Sequence, residues 1–291
     1  MPLDDKRMME LQYYQTYYFA NIVNNVIDDP GPFLVNLDGL WGDDKWLNFI
    51  EPFQKYSAFH LFLEYIIVEL LCDQTSKVDL EKRKEELNKF GFVPFQKYTK
   101  KLKSLPIENA LKEHGFNCQS FEDWLEEKVK TFEDADEDDV YEYYGELSIT
   151  EGFDKLVSQM VEEVFFLMLL NRETLRKFND FLSSIILNRS IDDIPSQYKK
   201  NFSDDGTLKR VRPPKWAQRA IFFRDRGRCT LCNCDLSGIL SLQNQGQYDH
   251  IVPIAGNGLN DISNLQLLCS SCNNKKSADP SKTSTNYEKW Y

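Results

Sequence analysis

No apolar run in this chain approaches the ~20 residues that a bilayer-crossing helix requires; stretches such as Val164 to Leu170 are among the longest, which excludes a helical membrane span. No basic segment followed by an apolar core opens the N-terminus, so export is not expected and a cytoplasmic setting is. Internal repeats and long low-complexity tracts are missing. Histidine is scarce, with three in 291 residues. His60 and His114 sit in helical, apolar or charged contexts that suit packing or surface positions, and only His250 falls in the last third. Cysteine is thin over most of the length. Cys72 and Cys118 read as core thiols, while five of the seven crowd into residues 229–272. In a chain without export signals, that crowding favours metal binding over a disulfide framework.

What is present supports real cores: 42% apolar and 13% aromatic residues, in a length that suits two domains. The net charge of −11 hides a division. Residues 196–291 hold 14 Lys/Arg and 8 Asp/Glu, a net of +6, whereas residues 1–195 hold 21 and 38, a net of −17. The basic part has the electrostatics of a polyanion binder and the acidic part would repel one. Domains are therefore expected at 1–195, acidic and helical, and at 196–291, basic.

Periodic apolar patterns predict helices over Leu11–Ile27, Tyr56–Cys72, Val78–Phe90 with Gly91 as its C-cap, and Ser120–Thr131. Ser148-Ile149-Thr150-Glu151 has capping-box spacing and opens a helical pattern running towards Leu187. Trp41, Trp46 and Trp124 read as core. The acidic run Glu133 to Asp139 reads as a solvated loop or frayed helix end, with a surface for a basic partner as the sharper alternative. Beyond Pro213-Pro214, a helix is expected from Lys215 to Asp225. Arg219, Arg224, Arg226 and Arg228 would carry positive charge towards the first cysteine pair and are candidate phosphate contacts, as are Lys275 and Lys276.

Cys229-x-x-Cys232 and Cys269-x-x-Cys272 can close a tetrahedral site, for which zinc is the preferred occupant. Such a site is closed and structural, stapling distant segments of a small module. Cys234 offers a competing ligand. Between the pairs, Gln247–Ile254 is β-prone, Gly256-Asn257-Gly258 makes a turn, and Leu265–Leu268 leads into a helix through Asn273 and Lys276. The expected fold is α+β: a mostly helical N-terminal domain, then a small ββα-metal domain with a four-cysteine zinc site.

Cys-x-x-Cys, Asp249-His250-Ile251-x-Pro253, a Gly-containing loop, and Asn264-Leu265-x-x-Leu268-Cys269-x-x-Cys272-Asn273-x-x-Lys276 together resemble the zinc-stapled HNH endonuclease module over about residues 212–280. The resemblance implies hydrolysis of DNA phosphodiester bonds, leaving 5′-phosphate and 3′-hydroxyl ends. It implies His250 as general base, Asp249 and Asn273 as ligands of a catalytic divalent metal, and Asn264 as the residue tying the loop and orienting the histidine. An imidazole with an ordinary pKa near ~6.5 suits the base role, and the hard oxygens of Asp249 and Asn273 favour Mg²⁺ or Mn²⁺. Double-stranded DNA is the expected substrate. A protein partner is expected for the N-terminal domain, in a setting that looks like prokaryotic anti-phage or anti-plasmid defence. Two alternatives are a noncatalytic zinc-stabilised nucleic-acid-binding module and a restriction or mobile-element HNH endonuclease.

Overall fold

A computed structural model of the chain describes residues 16–90, 102–189, 194–238, 246–277 and 281–286. The expected helix start at 11–15 and the proposed cap at Gly91 lie outside the described residues. The described residues are mostly helical, with one two-stranded antiparallel sheet near the C-terminus. None of the described helices is long and apolar enough to cross a membrane.

The helices are α1 (Thr16–Asp28), α2 (Leu34–Trp41), α3 (Ala58–Ser76), α4 (Leu80–Phe90), α5 (Pro106–Glu113), α6 (Phe121–Glu127), α7 (Glu137–Ser148), α8 (Glu151–Leu169), α9 (Arg172–Leu187), α10 (Lys215–Arg224) and α11 (Ser270–Lys276). The strands are β1 (Gly246–His250) and β2 (Leu265–Cys269). Where apolar periodicity was strong, these bounds follow it closely. The pattern expected to run unbroken towards Leu187 is two helices. Asn171 takes a non-helical conformation and its side chain accepts the Thr174 N–H, capping α9 with no proline or glycine to announce the break. The acidic run is also more ordered than a solvated loop: Asp136 caps α7, Asp139 completes the capping box, and buried Asp139 pairs with Lys130.

By compactness the chain divides into residues 1–19 with 64–164, and residues 20–63 with 165–291. In the first unit, Phe121, Trp124 and Tyr143 pack edge-to-face and stacked, with ring centroids 5.2–5.9 Å apart. Fully buried Glu108 is satisfied by the backbone N–H groups of Leu105 and Phe121 and by Lys112.

The second unit builds its core on Phe59, Phe62, Phe165 and Phe178, whose rings meet at 4.9–6.4 Å. The ββα segment belongs to this unit and is tied to its helices by buried polar bonds. Arg172 of α9 pairs with Asp225 just after α10, and Asn179 donates to Ser263. Charge and packing thus partition the chain differently: the change of sign falls near 195, but helices α2 and α9 belong to the same compact unit as the basic C-terminal residues.

His60 sits against Phe165, with ring centroids 3.7 Å apart, and its Nδ1 accepts the Ser57 N–H. Burial lowers its pKa from 6.5 to about 4. Because the folded value is depressed, the unfolded chain takes up this proton first. The contribution of His60 to stability is full well above pH 6.5, falls as the pH drops below it, and is down by about 3 kcal/mol once the pH reaches 4. Denaturant melts at pH 7 and pH 5 are expected to show a steeper loss for the wild type than for His60→Gln; parallel losses would refute this assignment.

Candidate active site and metal centre

Strand β1 pairs with β2 so that Asp249 lies opposite Gln266 and His250 opposite Leu265. Side chains alternate across a strand, which places Gln247 and Asp249 on one face. Helix α11 crosses that face. Asn273 and Lys276, three residues apart, share a side of the helix. Asn273 hydrogen-bonds Gln247, and the Lys276 ammonium reaches Asp249 Oδ2 at 3.0 Å and the His250 carbonyl at 2.7 Å. Gln266 also donates to Asp249 Oδ2. The second oxygen of Asp249 and the side-chain oxygen of Asn273 accept no hydrogen bond among the described residues, so each keeps a hard donor for a divalent cation.

Asn264 is completely buried. Its amide donates to the carbonyls of Val252 and Leu259, each at 2.9 Å, and its oxygen accepts the Val252 N–H at 2.8 Å. One side chain thereby closes the loop after His250. Gly258 completes the closure, because a Cβ there would stand 2.0 Å from the Val252 carbonyl oxygen. Asn257 before it takes the left-handed conformation, with φ at 59°, one that asparagine tolerates.

His250 is 3% exposed, and its Nε2 is buried without a hydrogen-bond partner. Burial, with the nearby positive charges of Arg210 and Lys276, pushes its pKa down to about 3, against a smaller upward pull from Asn260. The imidazole is neutral across the physiological range and carries an available lone pair.

Three residues of this neighbourhood were not singled out from sequence. Asn260 clamps the extended segment before α10: its oxygen accepts the Val211 N–H and its amide donates to the Lys209 carbonyl. The residue between those two bonds is Arg210, an exposed cation near His250. Asp261 accepts the N–H groups of Ser263 and of Ala58, the latter 203 residues away in sequence and the first residue of α3. The Asp-x-Ser spacing of an Asx turn was the local signal for Asp261. Nothing local marked its bond to α3, or the Asn260 clamp.

The basic residues divide. Arg219, Arg226 and Lys275 are exposed, and Arg228 is half-buried and donates to the Asn233 carbonyl. Arg224 and Lys276, expected as phosphate contacts, are buried and committed elsewhere: Arg224 to Asp225 and the Leu265 carbonyl, Lys276 to Asp249 and His250. Burying a cation demands such partners, so these two hold the module together from inside.

At the cysteines, the sulfurs of Cys229, Cys232, Cys234 and Cys269 all lie within 4.8 Å of one another. In this tight group Cys234 stands where Cys272 was expected, because Asn233 turns in the left-handed conformation, with the Asn233 N–H bonded to the Cys229 carbonyl and the Cys229 N–H bonded to the Cys234 carbonyl. The Cys272 thiol interacts with those of Cys232, Cys269 and Cys229. The Cys232 and Cys269 sulfurs are 3.7 Å apart, matching the roughly 3.8 Å that a tetrahedron of Zn–S bonds near 2.3 Å imposes. The donor set fits zinc. Cys72 and Cys118 are half-buried and take no part in the cluster.

Residues 229–279 match the family model described as HNH endonuclease. No curated protein and no solved structure matches the chain.

Proposed function

We propose, from the HNH endonuclease module at residues 229–279, that this chain is a divalent-metal-dependent nuclease that hydrolyses phosphodiester bonds of double-stranded DNA. The observation that carries the reading is the buried Nε2 of His250, without a hydrogen-bond partner among the described residues, at the end of β1 and next in sequence to Asp249. Asp249 and Asn273 would hold Mg²⁺ or Mn²⁺. Such an ion, when bound, offsets charge on the phosphate and on the leaving 3′-oxygen.

The protein's own groups supply the rest. His250 accepts the proton of the attacking water. Its low proton affinity is set by burial beside cations, and a phosphodiester anion drawn in beside Arg210 and Lys276 counters that field. Asn264 and Gly258 fix the loop so that the imidazole keeps one position. Arg210, held by Asn260, neutralises the scissile phosphate, and Arg219, Arg226, Arg228 and Lys275 track the flanking backbone. Residues 1–195 with their net charge of −17 restrain the basic module or bind a protein partner, in an anti-phage or anti-plasmid defence setting.

The test uses the full chain with supercoiled plasmid and Mg²⁺ or Mn²⁺, with a chelator control and Arg210→Ala alongside. Conversion of the plasmid to nicked circles is expected, absent with the chelator and slower in Arg210→Ala. Tight plasmid binding with no strand cleavage in either metal would favour the zinc-stabilised binding module instead.

A further inference from the structure

Five cysteines surround a position at which zinc accepts four sulfurs. Cys229, Cys232 and Cys269 form one tight group with Cys234, and the Cys272 thiol also interacts with those same three. Cys234 does so from the tight turn after Cys232, where it interacts with Cys232 and Cys269. Cys272 does so from the first turn of α11, where its backbone N–H also donates to the Cys269 sulfur.

We propose that Cys234 and Cys272 are alternative fourth ligands of the structural zinc, exchanging at one vertex while Cys229, Cys232 and Cys269 stay bound. The inference rests on the structural-zinc reading of the module and not on its nuclease activity. Its consequence lies one residue further along. Cys272 immediately precedes Asn273, so closure by Cys272 ties the first turn of α11 to the zinc. Closure by Cys234 leaves that turn held only through Cys269, which caps it and accepts the Cys272 N–H, while the staple between residues 229–234 and Cys269 holds. The zinc site thus has two closed forms that differ in how firmly α11 presents Asn273 to Asp249.

The test is metal content, with cobalt in place of zinc as a second readout, on the full chain and on Cys234→Ala, Cys272→Ala, the double variant and Cys229→Ala. Each of the two single variants is expected to retain about one zinc and to give the cobalt spectrum of four thiolates, since either sulfur alone completes the tetrahedron. Zinc affinity should fall only about twofold, the factor for removing one of two equivalent closed states. The double variant and Cys229→Ala should lose the metal or shift to a spectrum with an oxygen ligand. If Cys272→Ala alone loses a thiolate while Cys234→Ala does not, the ligands are fixed as the two Cys-x-x-Cys pairs and the proposal fails. The reverse pattern, fixing Cys234, overturns it equally, as does a double variant that keeps four thiolates. A wild-type chain that binds no zinc would overturn the zinc reading itself, whatever the plasmid assay returns.

Discussion

Substituting His250 by alanine is expected to slow plasmid cleavage about 10²–10⁴-fold, the span that a positioned general base contributes. The effect should be on chemistry because the imidazole supports little else. Its Nε2 has no hydrogen-bond partner among the described residues, and the side-chain bond the imidazole does make, to Asn260, leaves the two backbone bonds of Asn260 in place. The bond that anchors this point of the chain runs from Lys276 to the His250 carbonyl, which alanine retains. The links from Asn264 to residues 251, 252 and 259 are likewise independent of the imidazole. Zinc content should match the wild type's, since the sulfurs lie beyond the opposite end of β1 from His250, near Gly246 and its partner Cys269. Single-turnover cleavage with both proteins at equal zinc loading measures it. Equal rates would remove His250 from the mechanism.

Replacing Asp225 by alanine should cost about 3–5 kcal/mol of stability, the range for breaking a buried ion pair from one side. Asp225 has no exposed side-chain surface, and its partners Arg172 and Arg224 are 3% and 2% exposed. One oxygen takes Arg172 at 3.2 Å and Arg224 at 2.9 Å; the other takes Arg224 and the Leu267 N–H, each at 2.9 Å. Truncation would leave two guanidinium groups and a strand N–H inside without their acceptor. The denaturant midpoint reads the loss, and a change below about 1 kcal/mol would place the network among solvated pairs. A chain reduced to residues 196–291 lacks Arg172 and should be destabilised by the same mechanism.

The parts legible beforehand are those with short-range signals. The two Cys-x-x-Cys pairs, the Asp249-His250 step, the loop asparagine Asn264 and the helix bearing Asn273 are each marked by residues only a few positions apart. The helix around Phe59, Phe62, Ile66 and Ile67 announces itself by its period. Less legible was anything decided by distant partners. Arg224 and Lys276 look in sequence like any solvent-facing cations, and only the acceptors that fold around them make burial tolerable. Asn260 resembles an ordinary turn residue until residues 209 and 211 run past it. Cys234 falls outside the two-residue spacing, and it joins the cluster because Asn233 adopts a conformation that spacing alone does not encode.

The bond between Asp261 and Ala58 has a consequence for how the chain is made. At synthesis rates of about 5–20 residues per second, the 203 residues separating them take about 10–40 s to emerge. Throughout that interval the leading turn of α3 lacks the carboxylate that accepts the Ala58 N–H. The ββα segment supplies it, so a part of the chain translated much later completes the start of α3 within the same unit. Nascent chains interrupted before residue 261 therefore lack the acceptor of the Ala58 N–H together with β2, α11 and the second cysteine pair.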